Sequence, residues 1–359
     1  MKILIAAGIY PPDAGGPAVH AKAQFEGFRK LGMKTGLVTS SRYRHWPKGI
    51  RHSLYFLALL AEVPFYDVVY AHDALGSGIP ALIAARIFGR KFMVRIGGDV
   101  VWERETEETD LSMKEWYEKG LHLHRLSFRM ARWLMKHADL VVTTSPIMIE
   151  LYTHYYGISN HKVKLLENPT PEVGDLVTKK GSTIIFASRL TKYKNLAFVL
   201  HILSEIFPNN PELRFVIMGN GPEENNLKKL TRELKIENNV VFAGVVSLEE
   251  VLHKTAECLF VIAPALTEFN PNYVLQGIAL GKPFLISREH GLPFSVSEDF
   301  LFDPKDEDEL KNKIQTLLEP SHYEKMVQEV GRLNHRSSWD DNLRMNKDFI
   351  MGLFNKKSQ

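Results

Sequence analysis

Short apolar runs recur along the 359-residue chain, and most are closed by glycine, proline or a polar residue before a longer amphipathic stretch begins. Runs of this length bounded by turn residues predict buried strands, and the longer stretches predict helices. Ile3 to Ala7, Gly36 to Thr39, Asp67 to Ala71, Phe92 to Ile96 and the segment 138–146 supply strands in the first half. Thr183 to Ala187, Phe215 to Met218, Val240 to Ala243, Val261 to Ala263 and Phe284 to Ile286 supply them in the second. Strands alternating with helices imply α/β architecture with doubly wound parallel sheets. Such sheets bind ligands beyond the carboxyl ends of their strands.

The alternation stops once. Pro169 to Ser182 holds proline, glycine and lysine without an apolar period, which marks residues 170–181 as a linker. It separates a first domain, 1–169, from a second, 182–336. A final amphipathic helix runs over Trp339 to Phe354. The chain is long enough for two such domains, and 45% hydrophobic with 24% charged residues is ordinary for a soluble globular protein. The single cysteine, Cys258, sits in the apolar run A-E-C-L-F-V-I and reads as a small buried hydrophobe, which fits a reducing, cytoplasmic location. Met1-Lys2 with I-L-I-A-A-G is too short for a secretory signal and reads as the first strand.

The richest stretch is Val261 to Ser287, V-I-A-P-A-L-T-E-F-N-P-N-Y-V-L-Q-G-I-A-L-G-K-P-F-L-I-S. A strand closes at Pro264, and a loop carries Glu268. Asn270 suits an N-cap and Pro271 the first helical position. A helix then runs to about Leu280, and Gly281-Lys282-Pro283 stops it. The free amides of Asn272, Tyr273 and Val274 would make its N-terminus an anion site.

With Glu268, the small-residue helix and Gly281-Lys282-Pro283 in register, the stretch resembles the signature of retaining nucleotide-sugar glycosyltransferases of family four. Their GT-B fold has two doubly wound Rossmann-like domains facing across a cleft. Gln276 stands where the family has a second glutamate. The resemblance covers the whole chain. S-R-L-T-K-Y-K-N matches the family's Arg-Leu…Lys motif at Arg189 and Lys194, and G-N-G-P at 219–222 matches its Gly-x-Gly-Pro turn. Gly15-Gly16 match the first glycine-rich loop, and Gly98-Asp99 stand where many relatives have His-Asp.

The resemblance implies sugar transfer from a nucleoside-diphosphate sugar to a hydroxyl acceptor, a lipid-linked or cell-envelope glycan, with retained configuration. Arg189, Lys194 and Glu268 would be catalytic: the two cations for the departing diphosphate, Glu268 for the sugar hydroxyls. Gly15, Gly16, Gly98, Asp99, Gly219, Asn220, Gly221, Pro222, Asn270, Asn272, Tyr273 and Gln276 would bind substrate, Gln276 at the ribose. Trp102 and Glu103 are candidates for an acceptor pocket. In this fold the closing helix, 337–359, returns to the first domain. No Asp-x-Asp at a strand end suggests a metal, and no cofactor is expected. The alternatives are a catalytically silent GT-B partner subunit and a nucleotide-sugar epimerase of the same fold.

Charge adds one partner. Residues 1–170 hold 22 Lys+Arg against 16 Asp+Glu, +6; the rest hold 45 − 22 = 23 against 42 − 16 = 26, −3. Gly27 to Ala61 has no carboxylate but carries Arg29, Lys30, Lys34, Arg42, Arg44, Lys48 and Arg51 among aromatics. That pattern suits an anionic membrane surface, with peripheral attachment. Nucleic acid is not expected, because no zinc spacing or helix-turn-helix accompanies the charge. Residues 103–118 read as a mobile loop and helix start. The stripe Leu123, Leu126, Met130, Trp133 and Leu134 reads as core-facing.

Overall fold

A computed structural model describes the chain except residues 14–15, 107–108, 171, 175, 334–336 and 356–359, and the side chains of Lys48 and Asn355. Its contacts divide it into two units: residues 1–101, 120–168 and 337–359, and residues 102–119 and 169–336.

The first unit carries β1 (Lys2–Ala7), β2 (Lys34–Thr39), β3 (Val68–Ala71), β4 (Lys91–Ile96), β5 (Leu140–Thr143) and β6 (Val163–Leu165). Among the described residues they form one parallel sheet in the order β2-β1-β3-β4-β5-β6. The β3 residues are all buried, as expected of a strand covered by helices on both faces. The helix Gly16–Lys30 and the closing helix Trp339–Asn355 pack together, and Leu343 and Ile350 of the latter enter the core with Ile3, Ile5 and Phe28. The closing helix thus belongs to this unit.

The second unit carries β7 (Thr183–Ala187), β8 (Arg214–Met218), β9 (Val240–Gly244), β10 (Phe260–Ala263), β11 (Phe284–Ser287) and β12 (Leu301–Phe302). They pair in parallel in the order β12-β11-β10-β7-β8-β9. Chain order reverses between β7 and β10, so the crevice beyond their carboxyl ends is this sheet's topological switch point. Cys258 is fully buried here and its thiol is pushed up to about 12 by burial.

Three sequence expectations change. Residues 102–119, placed by order in the first domain, group with the second unit. The segment expected as a linker is laid on the second unit as well. Val173 and Leu176 pack on Leu252, Ala256 and Leu280, and the buried Lys282 ammonium donates to the carbonyls of Lys179 and Cys258. The third change is the apolar stripe. The helix Leu126–His137 buries Phe128, Ala131, Leu134 and Met135. Leu123, Leu126, Met130 and Trp133 are instead 59%, 68%, 40% and 43% exposed. Phe128, Ala131 and Leu134 lie one helical face away from Leu126, Met130 and Trp133, so a neighbouring face of the helix is the one buried.

Candidate active site

The site grows from the carboxyl ends of β7 and β10. After β7 the chain turns through Ser188-Arg189-Leu190, and after β8 through Gly219 to Pro222. Two backbone bonds lock these loops together: Ser188 N–H donates to Met218 O (3.0 Å) and Leu190 N–H to Asn220 O (2.8 Å). A Cβ on Gly219, whose φ is +130°, would lie 2.0 Å from Ser188 O, and one on Gly221 would lie 2.2 Å from Leu190 O. Both glycines are therefore required by the loop that carries Arg189, on both sides of it. The family resemblance assigns them to the nucleotide; the structure gives them a packing role first.

Lys194 ends a short 3-10 turn, Lys192–Lys194, that breaks off at Asn195 in the left-handed region (φ 57°). Asn195 Nδ2 donates to Pro304 O, 2.8 Å away, which anchors the turn. From the other side, Leu266 N–H donates to Tyr193 O (2.9 Å). Glu268 is bridged in parallel to His290: its N–H donates to Glu289 O (2.9 Å), and Gly291 N–H donates to Glu268 O (2.7 Å). This fixed backbone brings Lys194 Nζ to 2.6 Å from Glu268 Oε2, with both side chains buried. Burial works against the Lys194 ammonium, but Glu268, Tyr193 and the short hydrogen bond together hold it above the ordinary lysine value.

Arg189 lies near the same pair. Its Nη2 is 3.2 Å from Glu103 Oε2 and 3.4 Å from Tyr193 Oη. Burial disfavours its charge, and the neighbouring Tyr193 and Glu103 outweigh that. Its side chain is nonetheless two-thirds exposed (67%), so this ion pair is worth ~1 kcal/mol or less. Lys192 is paired in the same way with Asp110, at 3.2 Å.

Glu103 and Asp110 come from the segment 102–119, whose contacts group it with this unit. The Trp102 ring meets Tyr193 (5.3 Å) and Phe269 (5.5 Å) edge-on, and its Nε1 donates to Leu111 O (3.2 Å). Ser112 and Glu115 close a capping box at the helix Met113–Glu118. The first helical amides then leave the segment: Met113 N–H donates to Thr267 Oγ1 (2.8 Å) and Lys114 N–H to Glu289 Oε1 (3.0 Å). Lys305 Nζ closes the far end on Glu115 (2.6 Å). The segment is thus part of this site's wall, and Trp102 and Glu103 sit beside the catalytic candidates.

Other expected site residues divide. Gln276 Oε1 is buried with no hydrogen-bond donor, which leaves it ready for a ligand hydroxyl. The helix runs Asn272–Ala279, one residue later than expected, with Pro271 flanking it and Gly281 left-handed (φ 66°) behind it. The Asn272 amide is spent on Asn270 O (2.7 Å), so it offers no anion donor; the Tyr273 and Val274 amides have no partner among the described residues. The Tyr273 side chain is core: it is 5% exposed and its hydroxyl donates to Ile262 O (3.0 Å). Asn220 and Pro222 are exposed at the edge of their turn. In the first unit, Asp99 is buried, accepting from Val101 N–H (2.8 Å) and Tyr156 Oη (3.2 Å), which is a capping role for the helix Val100–Glu105; Gly98 precedes it, half-buried. Gly16 opens its helix in free space, with no atom within 4 Å of where a Cβ would sit, and Gly15 lies outside the described residues. Sequence reasoning missed Tyr193, Thr267, Phe269 and Glu289; the capping box at Ser112 was a readable signal for the helix they hold.

Two family models cover most of the chain: the Glycosyl transferase 4-like domain over residues 6–169 and Glycosyl transferases group 1 over 174–333. The chain belongs to the GT-B glycosyltransferases of family four. Sucrose-phosphate synthase from Thermosynechococcus elongatus shares its fold at a TM-score of 0.79, with 15% identity over 98% of both chains. HepE of Anabaena, solved with UDP-glucose, gives a TM-score of 0.77, with 16% identity over 98% of this chain and 100% of that one. The α-monoglucosyldiacylglycerol synthase of Streptococcus pneumoniae is 25% identical over 46% of this chain. The matched span makes up 40% of that synthase and 60% of another curated relative, so this chain spans about half the length of these relatives.

The pairing of Arg189 with Glu103 generates a prediction for this family member. If Arg189 takes the diphosphate, as the family resemblance implies, that ligand has to displace Glu103, and Glu103→Gln should bind a nucleoside diphosphate about two- to fivefold more tightly, the equivalent of ~0.4–1 kcal/mol. Calorimetry showing weaker binding in the variant would mean that Glu103 supports the ligand rather than competing with it.

Proposed function

We propose that this glycosyltransferase transfers a hexose from a nucleoside-diphosphate sugar to a hydroxyl of a lipid-linked or cell-envelope glycan, with retention of configuration. The observation that carries the reading is the convergence of Arg189, Lys194 and Glu268 at the switch point of the second sheet. Breaking the bond to the sugar leaves charge on the departing phosphate oxygen. Two positioned cations stabilise that charge without reorganising, which is how such sites lower a barrier. Lys194 serves this role while bonded to Glu268, and Glu268 keeps its second oxygen for a sugar hydroxyl. We assign the leaving-group role to these side chains and not to a metal ion. A bound UDP-glucose in HepE is consistent with such a donor, and Gln276 with its unmatched oxygen suits the ribose.

The test is release of free nucleoside diphosphate from a panel of donors, with and without glycan acceptors. Acceptor-dependent release is expected, and Arg189→Ala should slow it by roughly 10²–10³ while leaving the fold intact. Release within twofold of the parent would remove Arg189 from the clamp. Absence of any acceptor-dependent release across the panel would favour a silent partner subunit.

Membrane attachment is proposed on a wider surface than residues 27–61. The helices Lys48–Glu62, Gly78–Ile87 and Leu126–His137 lie side by side in the first unit. They expose Leu57, Ile83, Ile87, Leu126, Met130 and Trp133. Lys119 to Ala138 also lacks any carboxylate and carries Arg125, Arg129, Arg132 and Lys136. Apolar side chains set among cations suit an anionic lipid surface, and the streptococcal relative is named for the synthesis of a glycolipid. Among the described residues no helix is long and apolar enough to cross a membrane. Vesicles with anionic lipid should bind the protein more strongly than neutral ones, less so as salt rises, and Trp133→Ser with Leu126→Ser should weaken binding about tenfold or more. Equal binding of both vesicle types by the parent would remove the membrane from the reading.

A further inference from the structure

The first unit holds a buried cation with no counter-charge. Arg95, on β4, is 6% exposed. Its Nη2 donates to Asn168 Oδ1 at 2.6 Å, its Nε has no partner, and no carboxylate is paired with it among the described residues. Tyr70 stands beside it, but burial raises the Tyr70 hydroxyl above the ordinary tyrosine value, so it supplies no counter-charge. Two histidines stand on the same side. His72, the first residue after β3, has neither ring nitrogen bonded, and His20, on the helix Gly16–Lys30, lacks a partner at Nδ1. Gln24, on that same helix, donates to Tyr70 Oη (3.5 Å) but leaves its Oε1 unmatched.

Buried polar atoms are almost always matched, and an unmatched set in one place calls for an occupant. Water could satisfy the histidines and Gln24, since neutral groups need only hydrogen bonds. Water does not neutralise a guanidinium, and a buried charge left unpaired is strongly unfavourable. His20, His72, Arg95 and Asn168 each keep 6–8% of their surface exposed, whereas neighbouring core residues such as Tyr70 keep none, so the group opens to the outside. It lies at the carboxyl ends of β3, β4 and β6, the end at which parallel sheets take ligands. Burial and the Arg95 charge together hold both histidines neutral, with His72 lowered to about 3, so each offers one N–H donor without adding charge.

We propose that Arg95, His72 and His20 form a phosphate-binding site in the first unit, built from residues other than Arg189 and Lys194. A guanidinium offers two parallel donors matched to phosphate oxygens, and the imidazole N–H groups complete the shell. The phosphate could be borne by an acceptor or by the donor's diphosphate, and the two sources are separable by experiment.

Inorganic phosphate titrated into the full-length protein should give a saturable shift of the His72 ring resonances. Arg95→Met should weaken that binding at least tenfold, with Arg95→Lys intermediate because it keeps charge but loses the fork. If Arg95→Met fails to fold, Arg95→Lys and His72→Gln carry the same comparison. Glycerol phosphate and a nucleoside diphosphate form the second arm. Loss of the first alone in Arg95→Met assigns the site to an acceptor phosphate, and loss of both assigns it to the donor. No shift at His72, or equal phosphate affinity in parent and variants, overturns the site whatever the outcome for sugar transfer.

Discussion

The buried contact between Lys194 and Glu268 is the constraint on which the second unit's chemistry rests. Removing two charges from water is expensive, and a pair at 2.6 Å recovers that cost only if its backbone is fixed. Each flank of the pair is accordingly tied. Asn195 is held to Pro304 and Leu266 to Tyr193, and Glu268 hangs between Glu289 and Gly291. Three separate chain segments are thereby brought to one point at the end of two neighbouring strands. The same pairing holds the lysine charged although it is buried, which is what the proposed leaving-group role would require.

A second layer comes from residues 102–119. Their aromatic and acidic side chains complete the wall: Trp102 packs on Tyr193 and Phe269, and Glu103 shares Arg189 with Tyr193. The two cations therefore differ in kind. Lys194 is buried in its pair with Glu268, while Arg189 is exposed and paired with Glu103. On the proposed reading, a diphosphate at Arg189 would gain only the difference between its own contacts and those of Glu103.

Much of this was legible in the sequence. The short apolar runs located ten of the twelve described strands, to within about three residues, because buried parallel strands read as uninterrupted hydrophobic segments; the short β6 and β12 were not read from them. Arg189, Lys194 and Glu268 were singled out by their match to the family's motifs, and they lie just beyond the carboxyl ends of β7 and β10. What could not be read is which groups meet. The carboxylates of Glu103 and Asp110 lie about eighty residues from their cations, and no local periodicity reports that distance. The same limit explains Tyr273, whose position one residue into a helix suggested the ligand while its hydroxyl satisfies a carbonyl under the sheet. At Leu126 to Trp133 both faces of the helix hold apolar residues, so the pattern fixed a helix but not the face that is buried.

The central claim is that Lys194 and Glu268 act as one unit. A double-mutant cycle on unfolding free energy tests it most directly, using Lys194→Met, Glu268→Gln and the combined variant. Each single change leaves a buried group without its partner and should cost ~3–5 kcal/mol. The combined variant should be more stable than either single one, which requires a coupling of at least ~3 kcal/mol. Additive losses across the cycle would show that the two side chains are independent, and the account of a shared, fixed charge centre would be contradicted.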